Sequence, residues 1–277
     1  MGEVVHPLEV ISPGIEFFTR INRGAFSSIL RSNCGSRLKT MKVVVPAAGE
    51  GSRLGALTAE RPKGLVRVGG EPLLAHVFRT AVNAGATTIL AVVGENGDAV
   101  RRRFGTEFRS IPVQYVEQPQ PLGLGDAVLR ARDRITDTFV VLNGDNVFFD
   151  PITPALERAD RTDVDGVLLV EETTMENART TGVVECDGST VVDIAEKPDV
   201  PSSTVVTTGC VVLPPAIFPA LELARPSERG ELELATGIDL LIAAGYAIDA
   251  VCYRGRRINV NRPEDIEAAE QLFGREK

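Results

Sequence analysis

The sequence predicts an α/β protein, doubly wound around a mostly parallel, mixed sheet. Three observations predict it. Short apolar runs rich in Val, Ile and Leu recur from Met41 onward, too continuous for strands with one wet face. Segments of helical periodicity separate the early runs, which is the pattern of a parallel sheet covered on both faces. Three runs end in loops of Gly, Asn, Asp and cations, and ligands of such sheets bind at the carboxyl ends of strands.

The elements follow in order. Val43–Pro46 reads as a buried strand that runs into a glycine-bearing loop. A helix starts at Glu71-Pro72-Leu73, with proline suited to a first turn. Its apolar face is Leu73, Leu74, Val77, Phe78 and Ala81, and Gly85 stops it. His76 on this helix reads as a surface residue rather than a ligand. Thr88–Val93 is a strand, Asp98–Phe104 a helix, Pro112–Val116 a strand, Gly125–Arg134 a helix and Phe139–Leu142 a fourth buried strand. The second half holds more strand: Val167–Val170, Val183–Glu185, Val191–Ile194, Val205–Leu213 and Ala247–Tyr253. Helices are expected at Pro215–Leu223, Leu234–Ala244 and Pro263–Phe273. No Ser/Gly linker or internal repeat divides this region.

Residues 1–40 differ. They lack periodicity, are punctuated by Gly, Pro and Ser, and carry a net charge of +2 against −10 for the remaining chain. They are expected to be an N-terminal extension, poorly ordered or upstream of the working start at Met41, with residues 41–277 one catalytic domain. No basic segment followed by an apolar core marks a secretory signal.

Composition narrows function. The 277 residues carry 38 acidic and 30 basic side chains, a net charge of −8. A chain so acidic is a poor generic binder of nucleic acid or anionic membrane. No apolar run approaches the ~20 residues that span a bilayer. Cytoplasmic location is therefore expected, with no nucleic-acid or membrane partner. The four cysteines are widely spaced and only His6 and His76 exist, which argues against a zinc site. Isolated cysteines in apolar stretches read as small buried hydrophobes.

The loop after the first strand reads Pro46-Ala47-Ala48-Gly49-Glu50-Gly51-Ser52-Arg53-Leu54, then Arg61-Pro62-Lys63. Small residues let a backbone approach a ligand, and successive N–H groups can cradle phosphate. Alone this is equally a tight turn with two surface cations. It is neither a dinucleotide fingerprint, since Leu54 stands where a third glycine belongs, nor a Walker loop, since no Gly-Lys-Ser/Thr run follows.

The longer run PAAGEGSRLGALTAERPKGLVRVGGEPLL resembles the signature of sugar-1-phosphate nucleotidyltransferases. Ser52 stands for the family's usual threonine and Ala56 for its proline. The resemblance continues in order through Gln118 to Ala127 (QPQPLGLGDA), Leu142-Asn143-Gly144-Asp145, Glu196-Lys197-Pro198, Thr208-Gly209 and Gly230 to Leu234 (GELEL). It implies a Rossmann-like nucleotidyltransferase fold of the GT-A-like kind. The implied reaction joins a nucleoside triphosphate to a sugar 1-phosphate, giving an NDP-sugar and pyrophosphate with Mg²⁺.

Residue roles follow from the same resemblance. Arg53 and Lys63 are the expected catalytic cations, at the leaving pyrophosphate and the α-phosphate. Ala48, Gly49, Glu50, Gly51, Gln118 and Gly123 would hold the nucleotide, with Gln118 and Gly123 at the base. Gly182, Glu196, Lys197, Thr208 and Gly209 would hold the sugar phosphate, and Glu231 would border that pocket. Asp145 and Asn259 would hold the metal. At the second metal position the chain departs from the family: Asn259 replaces an aspartate, Arg257 a tryptophan, and Asn261-Arg262 a Gly-Thr pair. Asparagine keeps an oxygen for Mg²⁺ but loses a charge.

The expected substrates are UTP or dTTP and a hexose 1-phosphate, glucose 1-phosphate first. Homo-oligomerisation is left open. Two alternatives remain: a relative using CTP, or mannose or N-acetylglucosamine 1-phosphate; and a non-catalytic regulatory homologue that binds nucleotide or sugar.

Overall fold

The computed structural model describes residues 38, 40–49, 51–59 and 61–274. The expected extension, apart from Leu38 and Thr40, lies outside the described residues, and so does Glu50. The strands are β1 Lys42–Ala47, β2 Arg67–Val68, β3 Glu71–Pro72, β4 Thr88–Val93, β5 Glu107–Phe108, β6 Ile111–Glu117 and β7 Phe139–Leu142. They continue with β8 Asn146–Phe148, β9 Gly166–Glu172, β10 Gly182–Asp187, β11 Thr190–Glu196, β12 Val205–Leu213, β13 Ile248–Cys252 and β14 Arg257–Asn259.

The main sheet has ten strands in the order β10-β11-β13-β9-β12-β7-β1-β4-β6-β5. It is mixed. β7, β1, β4 and β6 run parallel, as their helical crossovers require. β12 enters antiparallel between β7 and β9, and β10 and β11 form an antiparallel pair at one edge. The expected strands are all present, within a few residues at their ends.

Alternation within the apolar runs explains the doubly wound packing. Val43 and Val45 of β1 join one core with Ile89 and Ala91 of β4 and Val140 and Leu142 of β7. Their neighbours Val44, Leu90, Val92, Phe139 and Val141 join the core on the other face. Helices Leu73–Asn83, Gly97–Phe104 and Thr153–Ala159 cover the first face. Helices Leu124–Leu129, Ile217–Leu223 and Leu234–Ala243 cover the second. A strand buried on both faces loses all its apolar surface to the core, worth about 1.5–3 kcal/mol per Val, Leu or Ile. That is why these runs show no polar alternation.

A third, smaller core joins Val68, Leu73, Val147, Val260 and Ala269, with Phe149, Ile258, Ile266 and Phe273 packed against it. It ties the closing helix Pro263–Gly274 to two small antiparallel ribbons, β2–β3 and β8–β14. Neither ribbon was legible in the sequence, because two- and three-residue strands have no periodicity to read.

Two expectations are corrected. His76 is buried, not on the surface: its ring packs against Phe273 and its Nε2 lies 2.8 Å from the Val68 carbonyl oxygen. The third core covers the helix face that would otherwise be wet. Burial then holds the imidazole below its ordinary pKa. Of the cysteines, Cys210 is a buried hydrophobe whose thiol is pushed up to about 12, but Cys186 and Cys252 are exposed at strand ends. Among the described residues no helix is long and apolar enough to cross a membrane.

Candidate functional site

The ends of β1, β6 and β7 open into one cleft of about 390 Å³. Its floor is Pro46-Ala47-Ala48-Gly49 from β1 and Asn143-Gly144-Asp145 from β7. The Gly144 N–H donates to the Pro46 carbonyl at 3.0 Å and the Asn143 N–H to the Gly209 carbonyl at 2.8 Å, which fastens the three loops together. Arg53, Lys63, Gln118, Gly123, Gly182, Glu196, Lys197, Thr208, Gly209 and Asn259 also line it. Residues drawn from six separate motifs thus converge on one space. Gly51 supports the site without lining it. It adopts φ +67°, and a Cβ there would lie 2.9 Å from Lys63 Cβ, so glycine is needed for the Lys63 turn to close.

The two cations of the first motif differ. Lys63 is held: Nζ donates to Asp145 Oδ2 at 2.9 Å and to Asn261 Oδ1 at 2.7 Å, with its side chain 12% exposed. Arg53 is exposed on a 3-10 turn and pairs with no other described residue.

Asp145 sits at the centre of a chain of polar contacts. Its Oδ1 accepts from Asn146 Nδ2 at 2.8 Å. Asn146 Oδ1 accepts from Arg257, whose guanidinium also pairs with both carboxylate oxygens of Glu171. The β8–β14 ribbon sets Asn146 opposite Asn259, and the Val260 N–H donates to the Asp145 carbonyl at 2.8 Å. Arg257, in the tryptophan's place, therefore supports the acidic turn through Asn146. Asn146, Asn261 and Arg257 were not singled out as site residues, since their roles depend on this long-range ribbon.

Metal binding can be tested on Asn259. Its Oδ1 is buried without a hydrogen-bond partner, one of the few such atoms among the described residues. Buried acceptors are ordinarily satisfied. An orphaned oxygen in the cleft that Asp145 also lines is, with that carboxylate, a hard-oxygen donor pair of the kind Mg²⁺ takes, completed by phosphates and water. No group of three or more His, Cys, Asp or Glu suited to a metal occurs among the described residues. Any ion would thus draw on amide and phosphate oxygens.

The opposite wall is carboxylate-rich. Gly182 of β10 faces Glu196 of β11 in register. Lys197 follows in left-handed backbone, φ 47°, and its Nζ lies 3.1 Å from Glu196 Oε1. A non-glycine residue there costs about 1–2 kcal/mol, and such strain collects at functional sites. Burial pushes the Glu196 carboxyl above its ordinary range, and Lys197 opposes that shift. Glu233 is buried and accepts from Arg229 at 2.8 Å and Ser227 at 3.1 Å. Gly209 sits in a bulge of β12 with φ 78°, and the Thr208 hydroxyl beside it donates to the Leu169 carbonyl at 2.8 Å. Thr208 thus anchors the bulge first. Glu233 was missed, although GELEL contains it, because nothing in the sequence separates it from Glu231.

Fold and cleft together define a nucleotide-handling transferase: an α/β sheet whose strand ends carry a small-residue loop, four cations, an acidic turn and a carboxylate-rich pocket. The chain belongs to the nucleotidyl transferase family, which it matches over residues 42–257. It is 39% identical to the UTP–glucose-1-phosphate uridylyltransferase of Haloferax volcanii over 85% of this chain and 98% of that one. It is 34% identical to the low-salt glycan biosynthesis nucleotidyltransferase of the same organism, over 86% of this chain and 67% of that one. Among solved structures, a UDP-glucose pyrophosphorylase complexed with UDP-glucose superposes with a TM-score of 0.77 at 23% identity, covering 86% of this chain and 99% of that one. The UTP-bound UGPase of Acinetobacter baumannii gives 0.76 at 25% identity, covering 86% and 94%.

Proposed function

We propose that residues 41–277 form the catalytic domain, with residues 1–40 an extension. In this reading it transfers a uridylyl or thymidylyl group from UTP or dTTP to glucose 1-phosphate, giving the NDP-sugar and pyrophosphate. The observation that carries it is the convergence of Arg53, Lys63, Lys197, Asp145 and Gln118 on one cleft of an otherwise acidic chain. The uridylyltransferase relative and the UTP-bound UGPase support UTP and glucose 1-phosphate as the substrates.

The sugar phosphate is dianionic near neutral pH, carrying about 1.5–2 charges. Its oxygen is already a nucleophile, so no general base is needed. The barrier is the approach of one anion to another, and catalysis is positioning plus charge neutralisation. The backbone of Ala48 and Gly49 holds the triphosphate. Lys63 leaves Asp145 for the α-phosphate as nucleotide enters, and exposed Arg53 steadies the departing pyrophosphate. Lys197 binds the sugar phosphate, Glu196 a sugar hydroxyl, and Gly182, Thr208 and Gly209 give close approach. Asp145 and Asn259 would hold Mg²⁺, which supplies further charge neutralisation. Gln118 and Gly123 face the base. A cytoplasmic location belongs to this reading.

The test is pyrophosphate release across a matrix of UTP, dTTP, CTP, ATP and GTP with glucose, mannose and N-acetylglucosamine 1-phosphates, in Mg²⁺. Turnover is expected for UTP or dTTP with glucose 1-phosphate. Nucleotide binding with silence across the matrix would instead establish a regulatory protein.

A further inference from the structure

Gln118 follows the end of β6, where its N–H donates to the Val93 carbonyl at 2.9 Å. It is 4% exposed and lines the cleft. Its Nε2 donates twice, to the Gly123 carbonyl at 3.0 Å and to Asp126 Oδ2 at 2.9 Å. Both partners are pure acceptors, so the amide has one chemically sensible orientation. Reversing it would lose two hydrogen bonds and set Oε1 against a carbonyl and a carboxylate.

Each partner is itself fixed. Asp126 is buried in the first turn of Leu124–Leu129, and Arg130 grips it one turn on with contacts of 3.2–3.3 Å. Gly123 has φ +102°, and a Cβ there would lie 2.6 Å from the Leu232 carbonyl oxygen. The loop is stapled to that residue: the Gly125 N–H donates to the Leu232 carbonyl and the Leu232 N–H to the Leu122 carbonyl, each at 2.7 Å. The amide therefore offers the cleft one free group, the acceptor Oε1, which pairs with no other described residue.

We infer that Asp126, braced by Arg130, is a positioning residue that sets the polarity of Gln118 and thereby selects bases with an N3–H over cytosine. Uracil and thymine carry a donor at N3, which Oε1 accepts. Cytosine carries a lone pair at N3, which meets Oε1 as acceptor against acceptor. A free glutamine would turn and donate to cytosine instead; Asp126 prevents the turn. Sites that leave polar groups mispaired reject the wrong ligand strongly. The inference rests on the proposal that Gln118 faces the base.

The test is calorimetric measurement of UTP and CTP dissociation constants, with Mg²⁺, on the full chain and on Asp126→Asn, Arg130→Met and Gln118→Ala. Asparagine can donate to Oε1 or accept from Nε2, so it permits both orientations. The preference for UTP over CTP should fall by roughly tenfold or more in Asp126→Asn, and in the same direction, by less, in Arg130→Met. Equal weakening of both nucleotides in the variants that fold, or an unchanged preference, overturns the positioning role. A preference that also survives Gln118→Ala, or no UTP binding by the unaltered chain, overturns the base reading itself. Should Asp126→Asn fail to fold, Arg130→Met decides alone, because it alters the chemistry of neither Asp126 nor Gln118 and removes only the brace on Asp126.

Discussion

In the proposed reading the two walls of the cleft solve the same problem, holding anions on an acidic protein, in different ways. The nucleotide wall uses the ends of parallel strands. Its floor is backbone and small side chains; Arg53 is exposed and pairs with no other described residue, and buried Lys63 is parked on Asp145 and Asn261. The sugar wall uses antiparallel strands, and its charges are already paired: Glu196 with Lys197 and Glu233 with Arg229. The nucleotide wall therefore has cationic capacity to release when phosphates arrive. The sugar wall is preorganised as a hydrogen-bonding surface, and in the proposed reading its acidic members meet hydroxyls rather than phosphates.

Lys63→Ala should break this comparison most visibly. Loss of one preorganised cation is expected to lower kcat by about 10²–10³-fold, with an unchanged circular dichroism spectrum. Near-normal turnover would show that the parked lysine never moves to the phosphates. Arg257→Leu acts at the seam between the walls. It strands Glu171 and unfastens Asn146, so a loss of about 1–3 kcal/mol is expected, read as a lower urea midpoint. An unchanged midpoint would mean that the contact chain from Glu171 to Asp145 is ornamental. Asn259→Asp restores a charge to the cleft that Asp145 lines. The Mg²⁺ concentration for half-maximal activity should drop severalfold; no change would remove Asn259 as a ligand.

The smallest effect sharpens the sugar wall. A carboxyl whose folded pKa lies above its ordinary value binds protons more readily folded than unfolded, so stability falls as the pH rises. For Glu196 the window opens at its ordinary value of 4.5 and extends upward. Glu196→Gln cannot ionise. Relative to the variant, the natural protein should lose Tm as the pH rises across that window, by a small amount because this group is partly solvated. A parallel Tm profile for both proteins would refute the burial assigned to Glu196. Its KM for the sugar phosphate should rise while that for the nucleotide holds.

The nucleotide wall was legible because each of its parts is local. Pro46–Gly49, Arg53, Lys63 and Gln118 lie in runs whose spacing survives any fold, and the apolar runs before them must be strands buried on both faces. The sugar wall was only half legible. Glu196 and Lys197 were visible as a pair, but Glu233, buried against Arg229, looked no different from its neighbour Glu231. His76 misled for a related reason: its exposure depends on Phe273, almost two hundred positions away.

What the sequence determined by itself was composition of matter and order: which runs bury both faces, which loops carry glycine and charge, and that an anionic substrate is to be met by few cations. What the tertiary structure decided was pairing. Ribbon β8–β14 put Asn259 into the cleft that Asp145 lines and brought Arg257 to Asn146; Asp126 turned the amide of Gln118; Asn261 reached Lys63. A side chain's protonation, orientation and free valence depend on neighbours distant in the chain, and those neighbours exist only once burial of the apolar strands has closed the fold.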